Sequence, residues 1–134
     1  MEASDSEETL PFERTPAETA ELIESGAQLI DVRQDYEYDA ARIPGAERIG
    51  LEAVAENRDA IAKDRPVVFY CRTGARSAMA AQAFVDAGVE ATSLAGGITA
   101  WIGEDRKIDP EDGYVAEPGE AAAILEARAR ASAK

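Results

Sequence analysis

Short apolar blocks separated by helix-like stretches set the rhythm of this chain. Leu29-Ile30-Asp31-Val32 and Val67-Val68-Phe69-Tyr70 are compact and rich in β-branched or aromatic residues, and they predict buried parallel strands. Val89 to Leu94 predicts another strand, Ile49 marks a further short one, and Leu10 with Phe12 begins an edge strand. Thr15-Pro16-Ala17-Glu18 reads as a helix start, with Thr15 as cap, Pro16 at the first helical position and Glu18 completing a capping box. Ala20, Leu22 and Ile23 continue that helix, and Gly26 closes it in the left-handed conformation. A short helix is expected over Asp35 to Ala41, stopped by Ile43-Pro44-Gly45. Leu51 to Lys63 is helical in composition and is broken by Asp64-Arg65-Pro66. Ser77 to Ala87 is an alanine-rich helix ending at Gly88, Gly96-Gly97 is a turn, and Ile98 to Ile102 supplies one or two helical turns. Strands alternating with helices at this spacing predict an α/β domain whose parallel sheet is covered on both faces.

The 134 residues fit one domain. Residues 1–12 are read as an acidic flexible leader and 13–105 as the folded unit. Residues 106–134 are read as a loop, Asp109-Pro110-Glu111-Asp112-Gly113, and an alanine-rich terminal helix over Pro118 to Ala133 whose apolar content is thin. No run approaches the ~20 apolar residues of a membrane span. The opening MEASDSEETL lacks the layout of a secretory signal, so the sequence predicts a cytoplasmic protein. The net charge of −13 argues against nucleic acid and anionic membrane as partners. With 11 Arg against three Lys and many acids, the composition fits a high-salt cytoplasm better than it fits the coding bias of a GC-rich genome alone.

One cysteine and no histidine exclude an internal disulfide and a Cys/His zinc site; no metal constellation stands out and no cofactor is implied. The single thiol nevertheless sits in a telling place. Val67 to Ser77 runs strand, loop, helix, the order in which a loop turns successive N–H groups inward to hold an anion. Gly74 permits the positive φ such curling needs, and Ser77 is expected to cap the following helix. A thiol of ordinary pKa about 8.5 is brought to ~7.5 or well below by helix termini and neighbouring arginines, so Cys71 would need no histidine base. Arg72 and Arg76 are expected to pair with an oxyanion such as thiosulfate, sulfite, phosphate or arsenate. A buried structural cysteine and a non-catalytic anion loop are the competing readings. Arg-x-Gly-x-Arg-Ser followed by a helix suits neither as well as it suits a nucleophile.

Cys71-Arg72-Thr73-Gly74-Ala75-Arg76 resembles the active-site loop of the rhodanese family, and three flanking stretches agree. Asp31-Val32-Arg33 with Glu37 resembles the family's D-V-R-x-x-x-E, Ile43-Pro44-Gly45-Ala46 its I-P-G-A, and Leu94 to Trp101 its L-x-G-G-x-x-x-W. The resemblance spans roughly residues 14–104. It implies a central five-stranded, mostly parallel sheet with helices on both faces. It also implies sulfur transfer, in which Cys71 takes a sulfane sulfur from a donor such as thiosulfate, becomes a persulfide and passes the sulfur to cyanide, a thiol or a protein acceptor. Arg72, Thr73, Gly74, Ala75, Arg76 and Ser77 then form the substrate-binding loop. Asp31 is expected to bond loop amides or orient an arginine, and Arg33 and Glu37, four apart, to form an ion pair. Trp101 is read as a core anchor. One departure is Ala41-Arg42, where the family commonly has Gly-His. The Cys-x4-Arg spacing is one residue shorter than the Cys-x5-Arg of cysteine phosphatases, which disfavours phosphatase or arsenate-reductase chemistry. The alternative within the family is a partner-dependent sulfur relay or regulatory module.

Overall fold

The apolar blocks become the middle of a sheet because their alternate residues have somewhere apolar to go on each side. The computed structural model describes residues 11–61 and 64–116; the leader through Leu10, the end of the expected 51–63 helix and the terminal helix over Pro118 to Ala133 lie outside the described residues. Five strands, β1 (Glu13–Arg14), β2 (Gln28–Asp31), β3 (Glu47–Arg48), β4 (Val67–Tyr70) and β5 (Ala91–Leu94), form one sheet in the order β1-β5-β4-β2-β3. Every ladder in it is parallel. The helices are α1 (Pro16–Glu24), α2 (Asp35–Ala40), α3 (Ala75–Asp86) and α4 (Gly97–Gly103). No helix among the described residues is long and apolar enough to cross a membrane.

The period-2 alternation of β4 divides the core. Val67, Phe69 and Cys71 pack with Ile30, Val32 and Ala91 against Ala80, Ala81 and Phe84 of α3, the Phe69 and Phe84 rings lying 5.2 Å apart. Val68 and Tyr70 face the other way, joining Leu29, Leu94, Ile43, Ile98 and Trp101 in a second core, onto which Ala20, Leu22 and Ile23 of α1 also pack. Trp101 is buried in that core and donates its indole N–H to the Lys107 carbonyl at 2.7 Å, which anchors α4.

Local chemistry explains most of the element ends. Thr15 Oγ1 accepts from the Glu18 N–H at 3.1 Å while Glu18 accepts from the Thr15 N–H at 2.9 Å, the reciprocal box its spacing predicts. Gly26 ends the α1 connection at φ +102°. Phe12 belongs to the fold and not to a leader, since it is buried and its carbonyl accepts from Ser93 N–H at 2.9 Å. The second short strand is Glu47–Arg48, one residue before Ile49. The expected helix from Leu51 is replaced by two short 3₁₀ turns, Leu51–Ala53 and Arg58–Ala60. Asn57 separates them: its side-chain amide and its own N–H both donate to the Ala53 carbonyl, at 2.8 and 3.2 Å, and its backbone leaves the helical region at φ −103°, ψ 12°. At the Ala41-Arg42 departure, Arg42 exchanges backbone hydrogen bonds with Asp109 and reaches its carboxylate at 3.3 Å, tying the 106–116 segment to the turn after α2.

The strand order also says where a ligand belongs. From β2 the chain moves outward to β3, and from β4 it moves the opposite way to β5, so the sequence order reverses between β2 and β4. Crevices at such a switch point, beyond the carboxyl ends of the strands, are the usual ligand sites of open α/β sheets. Asp31-Val32-Arg33 and Cys71 lie there.

Tyr70 links this region to the Ile43-Pro44-Gly45-Ala46 turn. Its fully buried hydroxyl accepts the Ile43 N–H at 3.0 Å. Tyr70→Phe would leave that buried N–H without a partner, and unfolding in urea should show a loss of about 1–3 kcal/mol. A variant as stable as the parent would mean the turn is held by packing alone.

Candidate active site

The loop from Cys71 to Gly74 closes on the sulfur. Gly74 N–H donates to Cys71 Sγ at 3.1 Å, Ser77 N–H at 3.4 Å, and Ser77 Oγ lies 3.6 Å away. Gly74 is the N-cap of α3 at φ +115°, so Ser77 occupies the third helical position and does not cap as its type suggests. The sulfur caps instead, taking the N–H that a capping oxygen would ordinarily take. The Cys71 residue is 1% exposed, at the floor of the loop.

The glycine pair before α4 shapes this loop from behind. Ile98 N–H donates to the Cys71 carbonyl at 2.9 Å and Thr99 N–H to the Arg72 carbonyl at 3.1 Å. Because carbonyl and N–H of one trans peptide point oppositely, the Arg72 and Thr73 N–H groups are turned away from α4. Together with those of Ala75 and Arg76, they meet no protein acceptor among the described residues. Gly97 makes the approach possible. It sits at φ +62°, and a Cβ there would lie 2.4 Å from both the Cys71 and the Arg72 carbonyl oxygens. Sequence reading took Gly96-Gly97 only as a turn; the signal for its larger role was its fixed place before the Trp101 helix.

The charged residues are arranged differently from the expected pairs. Arg33 does not pair with Glu37. It forks onto Asp31, with Nη2 to Oδ2 at 2.7 Å and Nε to Oδ1 at 2.9 Å, and Nη2 also donates to the Ala41 carbonyl at 2.6 Å. Asp31 accepts the Arg33 backbone N–H as well, at 2.9 Å, and so orients an arginine without touching a loop amide. Both side chains are fully buried, where two short-range partners offset what either charge would lose alone. Glu37 instead reaches across to the Cys71 loop, holding Arg76 by two bonds, Nη1 to Oε1 at 2.9 Å and Nη2 to Oε2 at 3.1 Å. The i,i+4 rule does not act here because Arg33 lies before the Gln34 cap, outside α2, so no helical turn separates it from Glu37.

This arrangement redistributes the positive charge of the loop. Arg76 is committed to Glu37, and that carboxylate holds the guanidinium above its ordinary range. Arg72 is half-buried and forms no ion pair among the described residues, which leaves it as the loop's free cation. Thr73 and Ala75 are exposed on the loop. Ser93 was missed altogether: it is a fully buried polar residue on β5 whose Oγ lies 2.8 Å from Ser77 Oγ, and a serine inside an apolar strand was the available signal. An apolar groove of about 680 Å³, lined by Leu51, Val54, Met79 and Phe84 among others, includes neither Cys71 nor its loop.

Burial raises the Glu37 carboxyl, but the hydrogen bonds from Arg76 and the Gln34 N–H outweigh it and leave the group below its ordinary value near 4.5. A depressed carboxyl stabilises the fold fully above the unfolded value and loses that contribution as pH falls through the folded one. Glu37→Gln should therefore be less stable than the parent at neutral pH, with the gap closing as pH drops below about 4.5. Thermal melts of both proteins across the acid range check this; a gap independent of pH would place the effect in shape alone.

Comparison with known proteins agrees with the geometry. Residues 15–104 match the family model described as Rhodanese-like domain. The chain is 41% identical over 92 residues to the protein named "Probable adenylyltransferase/sulfurtransferase MoeZ" of Mycobacterium tuberculosis, covering 65% of this chain but only 24% of that longer protein. It is 33% identical over 103 residues to thiosulfate sulfurtransferase GlpE of Pseudomonas aeruginosa, covering 75% of this chain and 90% of GlpE. Among solved structures, a rhodanese-related protein from Thermoplasma volcanium superposes with a TM-score of 0.67 at 25% identity, over 72% of this chain and 95% of its own. With the cysteine loop at the β2/β4 switch point and the match spanning β2 to β5 and all four helices, the chain belongs to the rhodanese-like domain family.

Proposed function

We propose that the protein is a sulfurtransferase that moves sulfane sulfur from a donor such as thiosulfate to a nucleophilic acceptor through a persulfide on Cys71. The observation that carries this reading is the convergence of the Gly74 N–H, the Ser77 N–H and the Ser77 hydroxyl on one sulfur. Donors so placed favour the anionic sulfur, which is the nucleophile. The thiolate attacks the outer sulfur of thiosulfate; a new S–S bond forms, the donor S–S bond breaks, and sulfite leaves with the electron pair. Cyanide or a thiolate then attacks the terminal sulfur, and the pair of the broken bond returns to Sγ. The orphan N–H groups of Arg72, Thr73, Ala75 and Arg76 suit an anion held over the sulfur.

The acceptor lies outside the chain. Cys71 is its only cysteine, so no second thiol can resolve the persulfide as an internal disulfide. The likeness to GlpE, a thiosulfate sulfurtransferase, supports thiosulfate as donor, and the second reading is a relay that hands its sulfur to a protein acceptor. Turnover with thiosulfate and cyanide separates the two, since a relay forms the persulfide but releases its sulfur slowly to small acceptors.

Incubation with thiosulfate should add about 32 Da to the intact mass, one sulfur on one activated thiolate, and Cys71→Ser should abolish both the adduct and turnover. Substantial transfer by the serine variant would end the mechanism. Arg72→Ala should raise KM for thiosulfate about tenfold, the loss of one charge-assisted contact. A neutral persulfide donor should be affected much less. Equal losses with both donors would assign Arg72 to holding the loop.

A further inference from the structure

Ser93 occupies a β5 position whose neighbours on the same face are apolar. Ala91, two residues earlier, packs into the core beneath α3, and Ser93 itself lies beside Phe69 in the sheet register. It is fully buried, as is Ser77, and an unpaired hydroxyl there would be costly. The two hydroxyls satisfy each other at 2.8 Å.

Counting protons gives this pair a direction. Each hydroxyl has one proton to donate and lone pairs to accept with. Among the described residues, Ser77 Oγ is the acceptor within reach of the Ser93 proton. The Ser77 proton has two other destinations, the Gly74 carbonyl at 3.2 Å and Cys71 Sγ at 3.6 Å. Ser93 therefore donates to Ser77, and Ser77 is left free to donate onward. An uncharged sulfur is the weaker acceptor, so the Ser77 proton then rests on Gly74; a negatively charged sulfur draws it over.

We infer that Ser93 is a positioning residue for the nucleophile: it locks Ser77 as a donor, so that a buried two-hydroxyl chain, Ser93 to Ser77 to Sγ, answers negative charge on Cys71. Hydrogen bonds in such a chain polarise one another and strengthen towards a charged end. The inference rests on the sulfur-transfer reading for its purpose. When an acceptor takes the terminal sulfur of the persulfide, the Sγ–S bond breaks and its electron pair arrives on Sγ, where the chain supplies a third donor beside the two amides. The charged groups of the elements packed about the loop are Arg76, with Glu37 of α2 bound to it, Arg72, and the Asp31–Arg33 pair after β2. None of them touches Ser93.

The test uses the full-length protein and its single thiol. The ultraviolet absorbance of the thiolate, corrected with Cys71→Ser, is followed across pH without donor or acceptor. The result is therefore independent of whether sulfur transfer is the function. In Ser93→Ala the ratio of thiolate to thiol at pH 7 should fall about threefold, the loss of one hydrogen bond to a chain ending on charge, with Ser93→Thr restoring most of it. In a Ser77→Ala background the same Ser93→Ala change should have little further effect, because its route to the sulfur is gone. Thermal melts identify any variant that is merely unfolded, and Ser93→Thr against Ser93→Val then repeats the comparison at matched shape. An unchanged ratio in folded Ser93→Ala, or an equal fall in the Ser77→Ala background, would overturn the assignment.

Discussion

The amide-to-sulfur contacts at the start of α3 are what the surrounding structure is organised to hold. Sulfur is a large and weak acceptor when neutral, and a better one when charged, so two N–H groups at 3.1 and 3.4 Å make a helix cap whose strength depends on the state of Cys71. For the amides to face inward, the preceding carbonyls must face outward. That requires donors behind the loop, which the first turn of α4 supplies, and room for them, which Gly97 supplies. Gly74, at φ +115°, makes the reversal between the two sets of groups.

Electrostatics extends the same arrangement outward in two tiers. The inner tier, Asp31 with Arg33, is fully buried and stitches the end of β2 to the Ala41 carbonyl before the Ile43 turn. Arg33 Nη1 has no partner among the described residues, so the pair is a geometric brace and an imperfectly satisfied one. The outer tier, Glu37 with Arg76, joins α2 to the first turn of α3 across the mouth of the site. The outer tier uses Arg76, a charge that the loop motif alone assigns to an anion.

The fold explains why so short a loop suffices. Parallel strands place β4 between β2 and β5, with helices leaving their carboxyl ends on opposite faces, and the switch point leaves a crevice there without any added domain. The chain spans about a quarter of the length of MoeZ, which it matches at 41% identity, and nearly all of GlpE. The chain thus matches part of a longer protein and nearly all of one of similar size.

Much of this was legible along the chain. The strands at Leu29 to Val32 and Val67 to Tyr70, the Thr15 capping box, the α3 helix and the loop at Cys71 all follow from periodicity and near-neighbour chemistry, which act over a few residues and are written locally. The segment from Leu51 forms two 3₁₀ turns and not one helix, because helical composition cannot register the backbone leaving the helical region at Asn57. Which arginine pairs with which carboxylate was beyond local reading as well: Glu37 and Arg76 are 39 residues apart and meet only because β2 and β4 are neighbours. Ser93 joins the cysteine for the same reason, through the β4–β5 register and the packing of α3 over it. The sequence by itself determined most of the elements, the place of the single cysteine and the loop that bears it. Only the tertiary structure decided the partners of the buried polar groups, because a buried charge or hydroxyl is satisfied by whatever the topology brings within about 3 Å, irrespective of distance along the chain.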